Sequence, residues 1–421
     1  MRTVITGVGV VAPNGIGKEA FWNNCFAGVS GIRPVTLFET HRSRCHRAGE
    51  ITDFAPEAYV GSKGLRTLDR TTRLALVAAQ LALQDAQMPW PPAPGNDVGV
   101  VLGSTTGSLH SISDFDLVGL REGPRYVNPA LFPNAVINSP ASQVAIRFTL
   151  QGLNSTVATG FTASLDAFGY ALDMLQLERS RALLVGGVEE LCLETFLGFY
   201  RLGLLAQADN GQPWFAPFHP RRCGTLLGEG AAFFVLEPVE SARQRNVPVY
   251  AEILGYGTAF HPNALHRHDD TAEGAVQALA QALELAGTDP AGIDYISACA
   301  NATPGVDAME VTALKAVFGA RASQIPASAV KSLLGEAFSA SGALQVALAI
   351  GAMVRQQIPP TIYGAREEPL TELNLVPERA QPATVETVLV ESFGLAGIAS
   401  ALVMRGVHDG RDDPAVQRIR D

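Results

Sequence analysis

The run Val98-Gly99-Val100-Val101-Leu102 is apolar or glycine at every position, where a strand with one wet face would alternate. Such a strand is stable only in a sheet covered on both faces. Leu183-Leu184-Val185 and Thr3-Val4-Ile5 read the same way, and helical apolar spacing runs over 71–86, 165–177 and 274–286. Strands alternating with helices of that length build a largely parallel sheet packed between helices. The expected fold class is α/β.

A second set of strands and helices begins near Val249, with Ala251 to Leu254, the helical pattern from Gly274, and Tyr295-Ile296-Ser297. We read two halves, residues 1–245 and 246–406. No strict repeat relates them, so the duplication rests on element order alone. After Met404 come charges, glycines and Pro414, which predict a flexible tail over 407–421.

The 421 residues can bury a large core, and 47% hydrophobic against 17% charged residues excludes a disordered chain. With 41 acidic against 31 basic residues the net charge is −10, which excludes general affinity for nucleic acid or anionic membrane. The longest apolar run, Ala343 to Val354, falls short of the roughly 20 residues of a membrane span and reads as a buried helix. Cys25, Cys45, Cys192, Cys223 and Cys299 show no paired spacing, so neither a zinc site nor a disulfide framework is expected. The opening residues contain no apolar leader, and the expectation is a cytoplasmic protein without metal or cofactor. Gly7 and Gly9 mimic the start of a dinucleotide fingerprint, but Pro13 and Asn14 stand where its third glycine and helix belong. They predict a strand and a turn.

Several segments together resemble the β-ketoacyl-acyl-carrier-protein synthase family: Val4 to Pro13, Phe21-Trp22, Gly28-Val29-Ser30-Gly31-Ile32, Gly228-Glu229-Gly230-Ala231 and Ser392-Phe393-Gly394. The resemblance implies a thiolase-like fold of five layers, α-β-α-β-α, in two pseudo-symmetric halves, the first with dimer-interface and cap insertions. It also implies a site, and here the chain departs from the pattern. The nucleophilic cysteine is replaced by Phe161, in Thr159-Gly160-Phe161-Thr162-Ala163-Ser164. A phenyl ring has no lone pair with which to attack a thioester. The first family histidine, before Thr303-Pro304, is Cys299; the second, five residues after the retained Lys331, is Glu336. Leu395 replaces the gating phenylalanine after Ser392-Phe393-Gly394. The site is read as degenerate, with Lys331 paired to Glu336, Asp307 or Glu310, and with Thr159, Thr162 and Ser164 as caps of the following helix.

Within the family, the chain-length factors of type II polyketide systems are inactive subunits paired with an active ketosynthase. This chain resembles them in role, although actinorhodin-like members carry glutamine at the nucleophile position. The resemblance implies a heterodimer with an active ketosynthase and service by an acyl carrier protein. Leu131, Phe132 and Val136, within Asn128 to Asn138, would lie at the interface or along an acyl tunnel. Arg66, Arg70 and Arg73 have helical i, i+4, i+7 spacing and form a candidate docking face for the acidic carrier. His41, Arg42, Arg44, His46 and Arg47 form a second basic run. Two alternatives stay open: an acyltransferase or hydrolase using Cys299, Thr162 or Ser164, and a homodimeric acyl-binding protein.

Overall fold

Five strands of the first half and five of the second fall in the same spatial order and directions, which makes the duplication visible where residue identity hides it. In the computed structural model the described residues are 1–41, 43–89, 92–93, 95–209, 212–213, 215–262, 271–362 and 372–407. The tail expected over 407–421 lies outside them except for Val407. The first half contributes β1 (Thr3–Ala12), β2 (Val98–Gly103), β3 (Asn154–Val157), β4 (Ala182–Glu189) and β5 (Gly230–Pro238). The second contributes β6 (Ala251–Phe260), β7 (Tyr295–Ser297), β8 (Pro326–Ser328), β9 (Thr387–Phe393) and β10 (Ile398–Gly406).

Spatially these run β3-β2-β4-β5-β1 and β8-β7-β9-β10-β6, and β1 pairs with β6 so that the two halves share one sheet path. In each half the second, third and fourth strands are parallel neighbours, and the fifth runs antiparallel to both the fourth and the first.

The helices used below are α1 (Arg70–Asp85), α2 (Leu109–Arg121), α3 (Ser139–Phe148), α4 (Ala163–Gln176), α5 (Leu193–Arg201), α6 (Glu273–Ala286), α7 (Pro304–Phe318) and α8 (Ser339–Arg355). Helices α4 and α8 touch each other and the strands of both halves, forming the central layer. Helices α1 and α3 cover the outside of the first half, α6 and α7 that of the second. Five layers result. α8 is buried along its length except for Val354 and Arg355, as the unbroken apolar run predicts, and supplies much of the main core.

The outer helices approach their sheets through matched small residues. A Cβ on Gly9 would sit 2.0 Å from the carbonyl oxygen of Ala78 in α1, and one on Gly257 would sit 2.1 Å from that of Ala278 in α6. Each first strand carries Gly-x-Gly (Gly7 and Gly9, Gly255 and Gly257) against alanines spaced by four (Ala78 and Ala82, Ala278 and Ala282). The opening glycines therefore serve helix-on-sheet packing.

A degenerate candidate active site

Ligands of parallel α/β sheets gather beyond the carboxyl ends of the strands, and here those ends collect the residues that the resemblance assigns to the family's site. Beyond β3 a 3-10 turn, Gly160–Thr162, leads into α4 and carries Phe161. Cys299 follows β7, Lys331 opens a one-turn helix after β8, and Leu395 lies in a turn after β9. Hydrogen bonds tie these segments together. Ser392 Oγ donates to the Phe161 carbonyl at 3.0 Å, and the Phe393 N–H donates to Cys299 Sγ at 3.1 Å. Lys331 Nζ donates to Cys299 Sγ at 3.4 Å and to Glu336 Oε2 at 2.8 Å.

Glu336 is fully satisfied. Besides Lys331, its Oε2 accepts from Asn301 Nδ2 at 2.9 Å, while Oε1 accepts from the Phe338 N–H at 3.0 Å and Ser341 Oγ at 2.7 Å. Burial opposes charge on Lys331, yet the neighbouring Cys299 and Glu336 outweigh it and raise the ammonium above its ordinary range. Cys299 is itself pushed up to about 12, chiefly by burial and only partly countered by Lys331. It is a neutral thiol at physiological pH, so Glu336 is the effective counter-ion. Of the three partners expected for Lys331, only Glu336 pairs with it. Asp307 instead accepts from the Phe218 and Asn301 N–H groups and lies 3.3 Å from Arg222. Glu310 accepts the Cys299 N–H at 2.8 Å.

Beside this pair lies a second buried acid. Glu391 on β9 faces Glu310, carboxyl against carboxyl in the dry interior, where two negative charges would repel. Facing carboxyls resolve this by holding one proton between them. Burial first, then the Glu310 charge, raises Glu391 well above the ordinary carboxyl range. Nothing in the motif spacing pointed to Glu391.

The hydroxyls near Phe161 are not caps, contrary to expectation. Thr159 and Thr162 both donate to Asp166 in the first turn of α4, Thr162 at 2.8 Å, and Tyr256 and Ser400 complete that carboxylate. Ser164 Oγ is wholly buried with no hydrogen-bond partner, wedged where a Cβ on Gly342 would come within 2.7 Å of it. No base attends it. Phe161 packs on Phe338 (ring centroids 5.3 Å apart, edge to face) and Phe199 (6.3 Å), and Phe199 lies 5.1 Å from Phe338.

The docking triplet is not one helical face. Asp69 accepts the Thr72 N–H at 2.7 Å and caps α1, so Arg66 falls in a separate 3-10 turn before it. Arg70 is committed to buried Glu229, with Nε–Oε2 at 2.7 Å and Nη2–Oε1 at 2.6 Å, and Arg73 donates to the Leu65 carbonyl. Arg66 alone of the three is exposed, three residues after exposed Lys63, whose carbonyl accepts from Arg147 Nη1 at 2.9 Å. In the second basic run Arg42 lies outside the described residues, and Arg47 donates to the Ile32 carbonyl. Leu131, Phe132 and Val136 lie in or just after the 3-10 segment Pro129–Ala135 and are exposed at 41%, 57% and 40%. Among the described residues no group of His, Cys, Asp and Glu is placed to hold a metal, and no helix is long and apolar enough to cross a membrane.

Duplicated halves in this strand order, with a polar centre at the carboxyl ends, define a thiolase-like fold of the ketosynthase type. The model of the β-ketoacyl synthase N-terminal domain matches residues 1–242, and that of the C-terminal domain matches 250–364. A 3-oxoacyl-[acyl-carrier-protein] synthase 2 of Coxiella burnetii is 33% identical, covering 97% of this chain and 99% of the relative. Among solved structures, the ishigamide ketosynthase/chain length factor superposes with a TM-score of 0.88 at 31% identity, covering 97% of this chain and 99% of that one. A type II acyl-carrier protein in complex with its ketosynthase, AntDE:AntF, gives 0.89 at 28% identity over 96% and 99%. The chain belongs to the β-ketoacyl synthase family.

Proposed function

We propose that this chain is a non-catalytic, ketosynthase-like chain-length factor that pairs with an active ketosynthase and shapes the acyl tunnel in polyketide or polyene assembly. The observation that carries this reading is Phe161 at the head of α4, with Cys299 and Glu336 locked to Lys331 where two imidazoles would be needed. Such a centre can neither hold an acyl group covalently nor assist decarboxylation of an extender unit. The alternative nucleophiles Thr162, Ser164 and Cys299 are buried: Ser164 has no base beside it, Cys299 faces the Lys331 ammonium, and the Asp166 carboxylate beside Thr162 is already taken up by the hydroxyls of Thr159, Tyr256 and Ser400.

What remains to such a subunit is shape. Strand β3 ends the sheet path with one edge unpaired among the described residues, and α2 with the segment to Val136 packed on it exposes Leu120, Tyr126, Leu131 and Phe132. An open sheet edge and exposed apolar side chains each support burial against a partner subunit. Leu395, half-buried beyond β9, stands as the altered gate. Arg66 with Lys63 and Arg147 supports docking of an acidic carrier protein.

The test is co-expression with the ketosynthase encoded nearest to it, then native mass spectrometry after exposure to an acylated carrier protein. A one-to-one complex with acyl mass on the ketosynthase alone is expected. A homodimer that itself gains acyl mass would overturn the reading.

A further inference from the structure

We infer that Phe161, Phe199 and Phe338 form a plug that shuts acyl chains out of this subunit's own centre, so that a dimer containing it has one acyl-accepting centre. The inference rests on the function proposed above for its carrier protein and partner, but the plug itself is a property of this chain. The three rings come from three separate elements, the turn before α4, helix α5 and the loop before α8, and each ring touches the other two. Phe338 is buried at the base, while Phe161 and Phe199 are half-buried and form the outer surface.

Two backbone features hold the plug in place. Phe338 adopts φ 48° and ψ −120°, a conformation that a residue with a side chain rarely takes and that persists only where surroundings impose it. Its N–H is fixed by Glu336 Oε1 at 3.0 Å, so the ionic network beneath the site also sets the position of the ring. On the other side, a Cβ on Gly394 would lie 3.2 Å from Phe161 Cβ, so the chain after β9 backs directly onto the ring. The Ser392 hydroxyl fixes the Phe161 carbonyl. The rings therefore have little freedom to swing aside for a ligand.

Cutting Phe161 back to glycine opens an apolar hollow walled by Phe199 and Phe338, and concave apolar surfaces of this kind take up apolar ligands. The experiment uses the co-purified complex and a carrier protein bearing a diazirine-labelled medium-chain acyl group in amide linkage. Wild type is expected to give photo-adducts on the ketosynthase and none on the peptides of this chain containing 161, 199 or 338. Phe161→Gly should raise adducts on the 199 and 338 peptides by about tenfold or more, the change that roughly 1.4 kcal/mol of added binding gives, while Phe161→Leu, which keeps the bulk, should not. Adducts on those peptides in wild type, or no rise in folded Phe161→Gly, would overturn the plug. Should no ketosynthase complex form, the function above fails while the plug is still tested on the chain alone. Saturable binding of dodecanoyl-pantetheine by wild type would then refute it, and binding confined to Phe161→Gly would uphold it.

Discussion

Lys331 Nζ stands 2.8 Å from Glu336 Oε2, and both side chains are closed off from water. Ion pairs buried this deeply owe little net stability to their mutual attraction, but each partner becomes costly once the other is gone. The pair therefore persists as a unit.

Removing one partner should destabilise the chain by about 3–5 kcal/mol. Lys331→Met or Glu336→Leu alone is expected to lower the denaturant midpoint strongly, and the double variant to recover part of the loss. Lys331→Ala should reduce stability or assembly before any rate; an intact, stable complex with selectively slower condensation would contradict the structural role.

Glu391 gives a pH signature. Its carboxyl is raised in the folded chain by burial and by Glu310, so above the ordinary glutamate value of about 4.3 the unfolded chain releases a proton that the folded chain keeps. Wild type therefore loses stability as pH rises through that window. Glu391→Gln, which keeps the shape and needs no proton, should gain on wild type as pH increases. Thermal melting across the acid-to-neutral range measures it, and a constant difference would rule out the shared proton.

Thiol labelling sorts the five cysteines. Cys223 is exposed, whereas Cys25, Cys45, Cys192 and Cys299 are buried. Burial pushes Cys45 up to about 11 and the other three to about 12. Iodoacetamide near pH 8 should modify Cys223 alone until denaturant is added, as peptide mass mapping will record. Fast modification of Cys299 would reopen the alternative of a relocated nucleophile.

Phe161→Cys should restore no condensation, because Cys299 and Glu336 supply no imidazole to assist decarboxylation. Steady-state assay of the single variant with malonyl and acyl carrier proteins checks this. Measurable condensation by that variant would sink our account of the site.

Arg66 and Arg70 should separate docking from folding. Arg66→Ala is expected to weaken carrier binding in a salt-dependent way with stability changed by at most about 0.5 kcal/mol. Arg70→Ala strips buried Glu229 of its cation and should cost on the order of 3 kcal/mol. Calorimetric unfolding with carrier titration distinguishes them.

Much of the scaffold was legible because its signals are local. The helices expected over 71–86, 165–177 and 274–286 appear at Arg70–Asp85, Ala163–Gln176 and Glu273–Ala286, and Tyr295–Ser297 is a strand. Phe161, Cys299 and Glu336 stood out because each departs from the residue that the family resemblance implies at its place in a motif. What stayed hidden depends on chain segments far apart in sequence. Glu391 meets Glu310 and Phe199 meets Phe161 only through tertiary packing, which no spacing encodes. The arginine triplet misled because i, i+4, i+7 spacing presumes one helix, and Asp69 starts a new one between Arg66 and Arg70. The Gly-x-Gly and alanine pairs of the two halves repeat a spatial relationship, a close helix approach, instead of a stretch of sequence.

The central position of β1 has a consequence for synthesis. Only its last residues, Val11 and Ala12, pair locally, with Ile16 and Gly15; its long neighbours β5 and β6 occupy residues 230–238 and 251–260, so most of the first apolar strand made lacks its partners until more than half the chain has emerged. At ribosomal speeds that wait lasts roughly 10–50 s. A nascent chain must carry an exposed, aggregation-prone segment through that interval, so slow elongation or a shortage of chaperones should lower the yield of folded protein without altering the stability of what folds.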